Sequence, residues 1–164
     1  VSLTMLEFRD ENNYAVGLFH DSRLMTHDSC LFCKFAAAAP APTNILYQNE
    51  RALAFLDIHP HAPGHTVVIP RAQRARLAEL SESELDGLFY KVQRVSGMLE
   101  KALGAPALTI GINQGALSGN TIEHLHVHLM PRFAGDGGTS LHSVVNIPPK
   151  EPLETIVEKI RSAH

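Results

Sequence analysis

The stretch EHLHVHLMPR sets histidines at every second position, His124, His126 and His128. In an extended chain successive side chains alternate between faces, so these three share one face and Leu125, Val127 and Leu129 share the other. The aliphatic set reads as core. Three imidazoles in register need a reason, because desolvating unpaired polar groups is costly. Near neutral pH an imidazole can ligate a metal, carry a proton or attack an electrophile. Two chemistries therefore compete. Alternate histidines can hold one zinc ion with a third ligand from elsewhere and an open position for water. Otherwise one imidazole attacks an electrophilic phosphorus, while its neighbours fix its tautomer and protonate the leaving group.

A second reactive pair is Cys30 and Cys33, spaced C-x-x-C, and the chain has 2 cysteines in all. That spacing is too tight for a disulfide framework. It suits a metal or redox site in a reducing compartment, so the expected location is the cytoplasm. Upstream of the triplet, DIHPHAPGHTVVIP contains Asp57 and His65, and NQGALSGNT contains Asn113, Asn120 and Thr121.

These residues need elements to position them. ILYQNERALAFLDI reads as two short apolar runs around QNER, a β-hairpin. HTVVIP is a third strand ended by Pro70. SESELDGLFYKVQRVSGMLEKALG is a long helix: Ser81 or Ser83 caps it, Leu85, Leu88, Phe89, Val92, Val95, Leu99 and Leu103 recur at helical spacing, and Gly104 ends it. ALTIGINQ and TIEHLHVHLMP are expected as strands four and five, and EPLETIVEKIRSA as a short C-terminal helix. Pro40 and Pro42 should break AAAAPAPTN into a loop. The fold class is therefore α+β with a mainly antiparallel sheet. Residues 1–29 lack a sustained period and read as an N-terminal extension, with the organised domain over 30–164.

Composition narrows the function. The 164 residues are 45% hydrophobic and 19% charged, with a net charge of −3, which suits a soluble globular domain. A nucleic-acid binder would carry a basic face, and RAQRAR (Arg71, Arg74, Arg76) reads as a solvated loop or helix start. No apolar run approaches the ~18 residues that span a bilayer. The first residues carry acidic side chains and no compact apolar run, unlike a signal peptide. His59 and His61 around Pro60, and His142, are expected to be exposed and without a role.

Taken together, His-x-His-x-His, C-x-F-C-K, AFLDI…PGHTVVIP, the long helix and NQG…SGNT resemble the histidine triad (HIT) superfamily over about residues 30–135. The resemblance implies a five-stranded antiparallel sheet with one long helix and a homodimer joined through that helix and strand four. It also implies a catalytic set. His126 is the nucleophile that becomes nucleotidylated. His128 assists the leaving group, His65 stands beside the same phosphate, and His124 completes the triad. Asn113, Asn120 and Thr121 match the polar residues around the phosphates, although the family usually has Gln where Asn120 stands. Asp57 matches the acid that binds the ribose hydroxyls, and Leu31, Phe32, Phe35, Phe55 and Ile58 match the apolar base pocket. No divalent cation is required by this chemistry.

The presence of His128, where transferase branches carry Gln, implies a hydrolase, and LMPR resembles the dinucleoside polyphosphate hydrolases (Fhit-like) and bacterial HIT proteins. The expected substrate is a diadenosine polyphosphate. The alternatives are a Hint-type adenosine phosphoramidate hydrolase or a nucleotide-binding regulatory module with weak hydrolysis. In zinc-containing members two cysteines are joined by the first triad histidine and by a histidine three residues after VIP. Here Cys30, Cys33 and His124 are present, but the fourth position is Gln73, a poor zinc ligand. Any zinc would be structural.

Overall fold

The computed structural model describes residues 29–38 and 43–163. The expected extension, Ser29 apart, and the Pro40–Pro42 loop lie outside the described residues. Five strands form one antiparallel sheet: β1 (Ile45–Gln48), β2 (Ala52–Leu56), β3 (Thr66–Pro70), β4 (Ala107–Gly111) and β5 (Val127–Arg132), in the order β1-β2-β3-β5-β4. The expected hairpin turns at Asn49, whose side-chain oxygen accepts from the Arg51 and Ala52 amides at 3.0 and 2.9 Å.

Helix α2 (Glu82–Leu103) covers one face of this sheet. Its start is a reciprocal cap: the Ser81 hydroxyl accepts from the Glu84 amide while the Glu84 carboxylate accepts from the Ser81 amide. Gly104 closes it in the left-handed region, with φ 62°. The apolar stripe reaches the sheet through Leu88, Val92, Val95 and Leu99, which pack on Ala54, Val68, Leu125, Val127 and Leu129. This is the aliphatic face of the alternating HLHVHL stretch.

The opposite face carries Leu53, Phe55, Val67 and Ile69, covered by a short helix α1 (Leu31–Ala37). Sequence reading did not anticipate α1. The C-x-x-C spacing that suggested a ligand pair is also its first turn, with Cys30 as N-cap and its sulfur accepting from the Cys33 amide at 3.4 Å. The short helix α3 (Leu153–Arg161) forms as expected.

Two expectations need correction. Strand β5 begins at Val127, not Thr121, so His124 and His126 occupy a lead-in that precedes the strand ladder. The β3–β5 register, extended by two residues, would set Leu125 opposite Pro70, which has no N–H to continue the ladder. The Leu125 amide bonds the Arg74 carbonyl instead. RAQRAR, in turn, is not simply a solvated loop. Arg71 donates to the carbonyls of Asn49 and Ala36 and to the Gln48 side chain at 2.5, 2.8 and 3.0 Å, tying α1 and the β1–β2 turn together. Arg74 pairs with Glu84 at 3.1 Å.

Candidate active site

The triplet divides into two environments. The ring of His124 is fully buried and turns away from the other two, toward Cys30 and Cys33. Its Nε2 lies 2.8 Å from the Pro70 carbonyl, which can only accept, so Nε2 carries the proton and Nδ1 presents a lone pair. That lone pair meets the sulfurs of Cys30 and Cys33 at 3.4 and 3.6 Å. Burial and the neighbouring Cys30 push the Cys33 thiol up to about 12, so without a cation it stays protonated.

Gln73 enters the same cluster. Its amide nitrogen lies 2.6 Å from the Glu123 carbonyl, which requires a donor. The side-chain oxygen must therefore point inward, 3.2 Å from His124 Nδ1 and 2.6 Å from the Cys33 sulfur. The donor set thus consists of two sulfurs, one imidazole nitrogen and one amide oxygen, which are chemically compatible with zinc. Sequence reading counted Gln73 against a metal because glutamine is a poor zinc ligand, and sequence does not reveal which end of the amide faces the cysteines.

His126 and His128 form the reactive pair. His126 Nδ1 is 2.7 Å from the His124 carbonyl, so Nδ1 carries the proton and Nε2 is left with its lone pair. The His128 ring stands nearly perpendicular to it, at 83° with centroids 4.9 Å apart. On its far side His128 Nδ1 meets His65 Nε2 at 2.9 Å. The tautomers follow from one backbone group. The His61 amide donates to His65 Nδ1 at 3.3 Å, which puts the His65 proton on Nε2. His65 then donates to His128 Nδ1, and His128 keeps its proton on Nε2. A lone pair on His126 thus sits beside an N–H on His128.

Electrostatics keep His128 neutral. The pKa of His128 is lowered to about 4, first by burial and then by His126 and His65. Burial also lowers His65, against a pull upward from Asp57. The Asp57 carboxylate lies 3.7 Å from His65 Nδ1, and its other oxygen accepts from the His59 amide at 2.9 Å. Asp57 and His65 are linked through the backbone as well, the Asp57 amide donating to the His65 carbonyl at 2.9 Å.

The remaining candidates are placed as follows. Phe32 sets its ring edge-on to both His124 and His126, with centroids 5.9 and 5.4 Å away, and touches Phe55 at 5.6 Å. Phe35 stacks on Phe55 at 4.4 Å. Phe55 itself is buried among Leu53, Val67 and Ile69, whereas Leu31 and Ile58 are 58% and 73% exposed. Of the five apolar candidates, Phe32, Phe35 and Phe55 therefore form one cluster, whereas Leu31 and Ile58 present exposed apolar surface. Asn113 follows two residues after Gly111, where the β4–β5 ladder ends with Gly111 paired to His128. Asn120 fixes its own loop by accepting from the Ile122 amide at 3.0 Å, and Thr121 is exposed. His59, His61 and His142 are exposed, as expected, but the backbone of His61 sets a tautomer.

Comparison with known proteins agrees with this arrangement. The HIT domain family model matches residues 38–135. An uncharacterized HIT-like protein of Methanocaldococcus jannaschii is 37% identical over 108 residues, 66% of this chain and 82% of that protein. The asymmetrical bis(5'-nucleosyl)-tetraphosphatase of Schizosaccharomyces pombe is 39% identical over 105 residues, 64% of this chain but only 56% of that enzyme. Among solved structures, SMU.412c of Streptococcus mutans superposes with a TM-score of 0.69 at 33% identity, covering 84% of each chain. The chain therefore belongs to the HIT family, which includes named nucleotide hydrolases.

Proposed function

We propose that this chain hydrolyses nucleotides at the α-phosphate through a nucleotidyl-His126 intermediate, with diadenosine polyphosphates as the substrate class. The observation that carries this reading is the pairing of a lone pair on His126 Nε2 with a proton on His128 Nε2. A neutral imidazole escapes the repulsion that an anionic nucleophile meets at a negatively charged phosphate. Nε2 of His126 bonds to phosphorus as the bridging P–O bond breaks, and the leaving oxygen takes its proton from the His128 side. Water then attacks the same phosphorus and gives a proton back to the His128 side, the N–P bond breaks with its electrons returning to Nε2, and a nucleoside monophosphate departs.

Substrate charge assists this sequence. The negative charge of a bound phosphate favours the protonated form of His128, opposing the burial that lowers its pKa in the free site. Asp57 suits a ribose diol because a carboxylate can accept from both hydroxyls. The substrate class is supported by the yeast tetraphosphatase and by an Arabidopsis thaliana protein named as a bifunctional bis(5'-adenosyl)-triphosphatase/adenylylsulfatase, 33% identical over 95 residues. A homodimer fits the open edge of β4, where Ile110 is exposed, and the exposed Phe89 and Met98 on α2. No helix among the described residues is long and apolar enough to cross a membrane.

The test is a side-by-side rate comparison of diadenosine tri- and tetraphosphate with adenosine phosphoramidate, combined with acid-quench trapping of labelled protein. A nucleotidyl group on His126 and faster turnover of the polyphosphates are expected. Faster turnover of the phosphoramidate would move the substrate class. A protein that turns over substrate with no adduct at His126 would overturn the mechanism.

A further inference from the structure

We propose that Gln73 is the fourth ligand of a structural zinc site, its amide oxygen completing a tetrahedron with Cys30, Cys33 and His124. Zinc bound at ~2.3 Å to sulfur and ~2.0–2.1 Å to nitrogen or oxygen sets neighbouring tetrahedral ligands roughly 3.4–3.6 Å apart. The two sulfur-to-imidazole edges are 3.4 and 3.6 Å, and the imidazole-to-amide edge is 3.2 Å. Two edges therefore have the required length before any metal is bound, and the third falls about 0.2 Å short. The Cys33–Gln73 edge, at 2.6 Å, must open by about 1 Å.

The surroundings point the same way. Each non-sulfur ligand has its other polar atom held by a backbone carbonyl: His124 Nε2 by Pro70 and Gln73 Nε2 by Glu123. Such partners fix ring tautomer and amide orientation, as outer contacts do around bound metals. Two thiolates with two neutral ligands balance the charge of Zn2+, so the buried site is neutral when filled. An amide oxygen is a weaker donor than imidazole, so this site binds zinc less tightly than one with a histidine in place of Gln73.

The test uses the full chain, zinc-loaded and dialysed, with metal content measured by mass spectrometry and zinc affinity by chelator competition. Cobalt titration, followed by visible absorption, reports thiolate and four-coordinate ligation. One zinc per chain and a thiolate-to-cobalt band are expected. Gln73→Ala should weaken zinc binding by about 10-fold or more, while Gln73→His should tighten it by a similar factor. Gln73→Glu, which keeps an oxygen ligand, guards against a folding defect in the alanine variant and should also bind at least as tightly as the parent. Sub-stoichiometric zinc with no thiolate-to-cobalt band in the parent protein overturns the site. Equal affinity in the parent and Gln73→Ala, both folded, overturns the role of Gln73.

Discussion

The His124 carbonyl accepts the Nδ1 proton of His126 at 2.7 Å, so a residue whose ring faces the cysteines sets the tautomer of the nucleophile two positions on. The hydrogen bond is local, yet its geometry depends on His124 being held by Pro70. The metal-type cluster and the reactive pair thus share His124, through its ring and its carbonyl.

Replacing His126 by alanine removes the nucleophile and leaves the sheet intact, because its ring lies on the face away from α2. AMP release from diadenosine tetraphosphate should fall by a factor on the order of 10³ or more, with no labelled adduct. A steady-state assay with circular dichroism as a folding control measures this. Activity within about 10-fold of the parent would show that another group attacks phosphorus.

Asp57→Asn should act on binding. A hydrogen bond to a charged group contributes about 1.5–3 kcal/mol, so KM should rise roughly 10- to 100-fold for a substrate with an intact ribose diol. With a 2',3'-dideoxy analogue, parent and variant should have similar KM values. A defect of equal size on both substrates would place the role of Asp57 at His65, 3.7 Å away, instead of at the ribose.

Stability should fall with acidification in a defined window. Burial, with His126 and His65, holds His128 at about 4, whereas in the unfolded chain it titrates near ~6.5. Between these values the unfolded chain binds more protons, so stability is complete above about pH 7 and is lost as pH falls toward about 4. Below that, His128 contributes no further loss. His65, also lowered, acts in the same direction. The loss from His128 should be on the order of 2 kcal/mol after discounting for partial exposure. Urea midpoints measured across this range should drop, and His128→Asn should flatten the slope.

Gly64→Ala should destabilise the fold by about 2–3 kcal/mol. Gly64 has φ 81°, and an added Cβ would collide with the Leu103 side chain at the end of α2. The adjoining His65 would shift with it, so the hydrolytic rate should fall even where the protein remains folded. Thermal denaturation and the diadenosine assay check the two effects separately.

Much of the scaffold is legible in the chain itself. Alternation in HLHVHL separates Leu125, Val127 and Leu129 from the imidazoles because an extended backbone has period two. The span of α2 is written in Ser81, the apolar stripe and Gly104, each of which acts on residues within a turn or so of itself. The early end of the β5 ladder is different: it follows from Pro70 lacking an N–H, but only once β3 and β5 are known to pair. Helix α1 was hidden because its first turn is spelled by the two cysteines that drew attention as ligands.

Chemistry at the site was only partly legible. Histidine identity and spacing nominated His126 and His128, since residue type alone decides whether a ring can attack or donate. Which nitrogen carries each proton depends on the partner at the other nitrogen, and those partners are distant in sequence: His65 for His128, 63 residues away, and Pro70 for His124, 54 residues away. The inward amide oxygen of Gln73 likewise depends on Glu123, 50 residues along the chain. Sequence therefore determined which groups could react, whereas tertiary structure decided their protonation and direction, because an imidazole or amide takes its orientation from whatever the fold packs against its second polar atom.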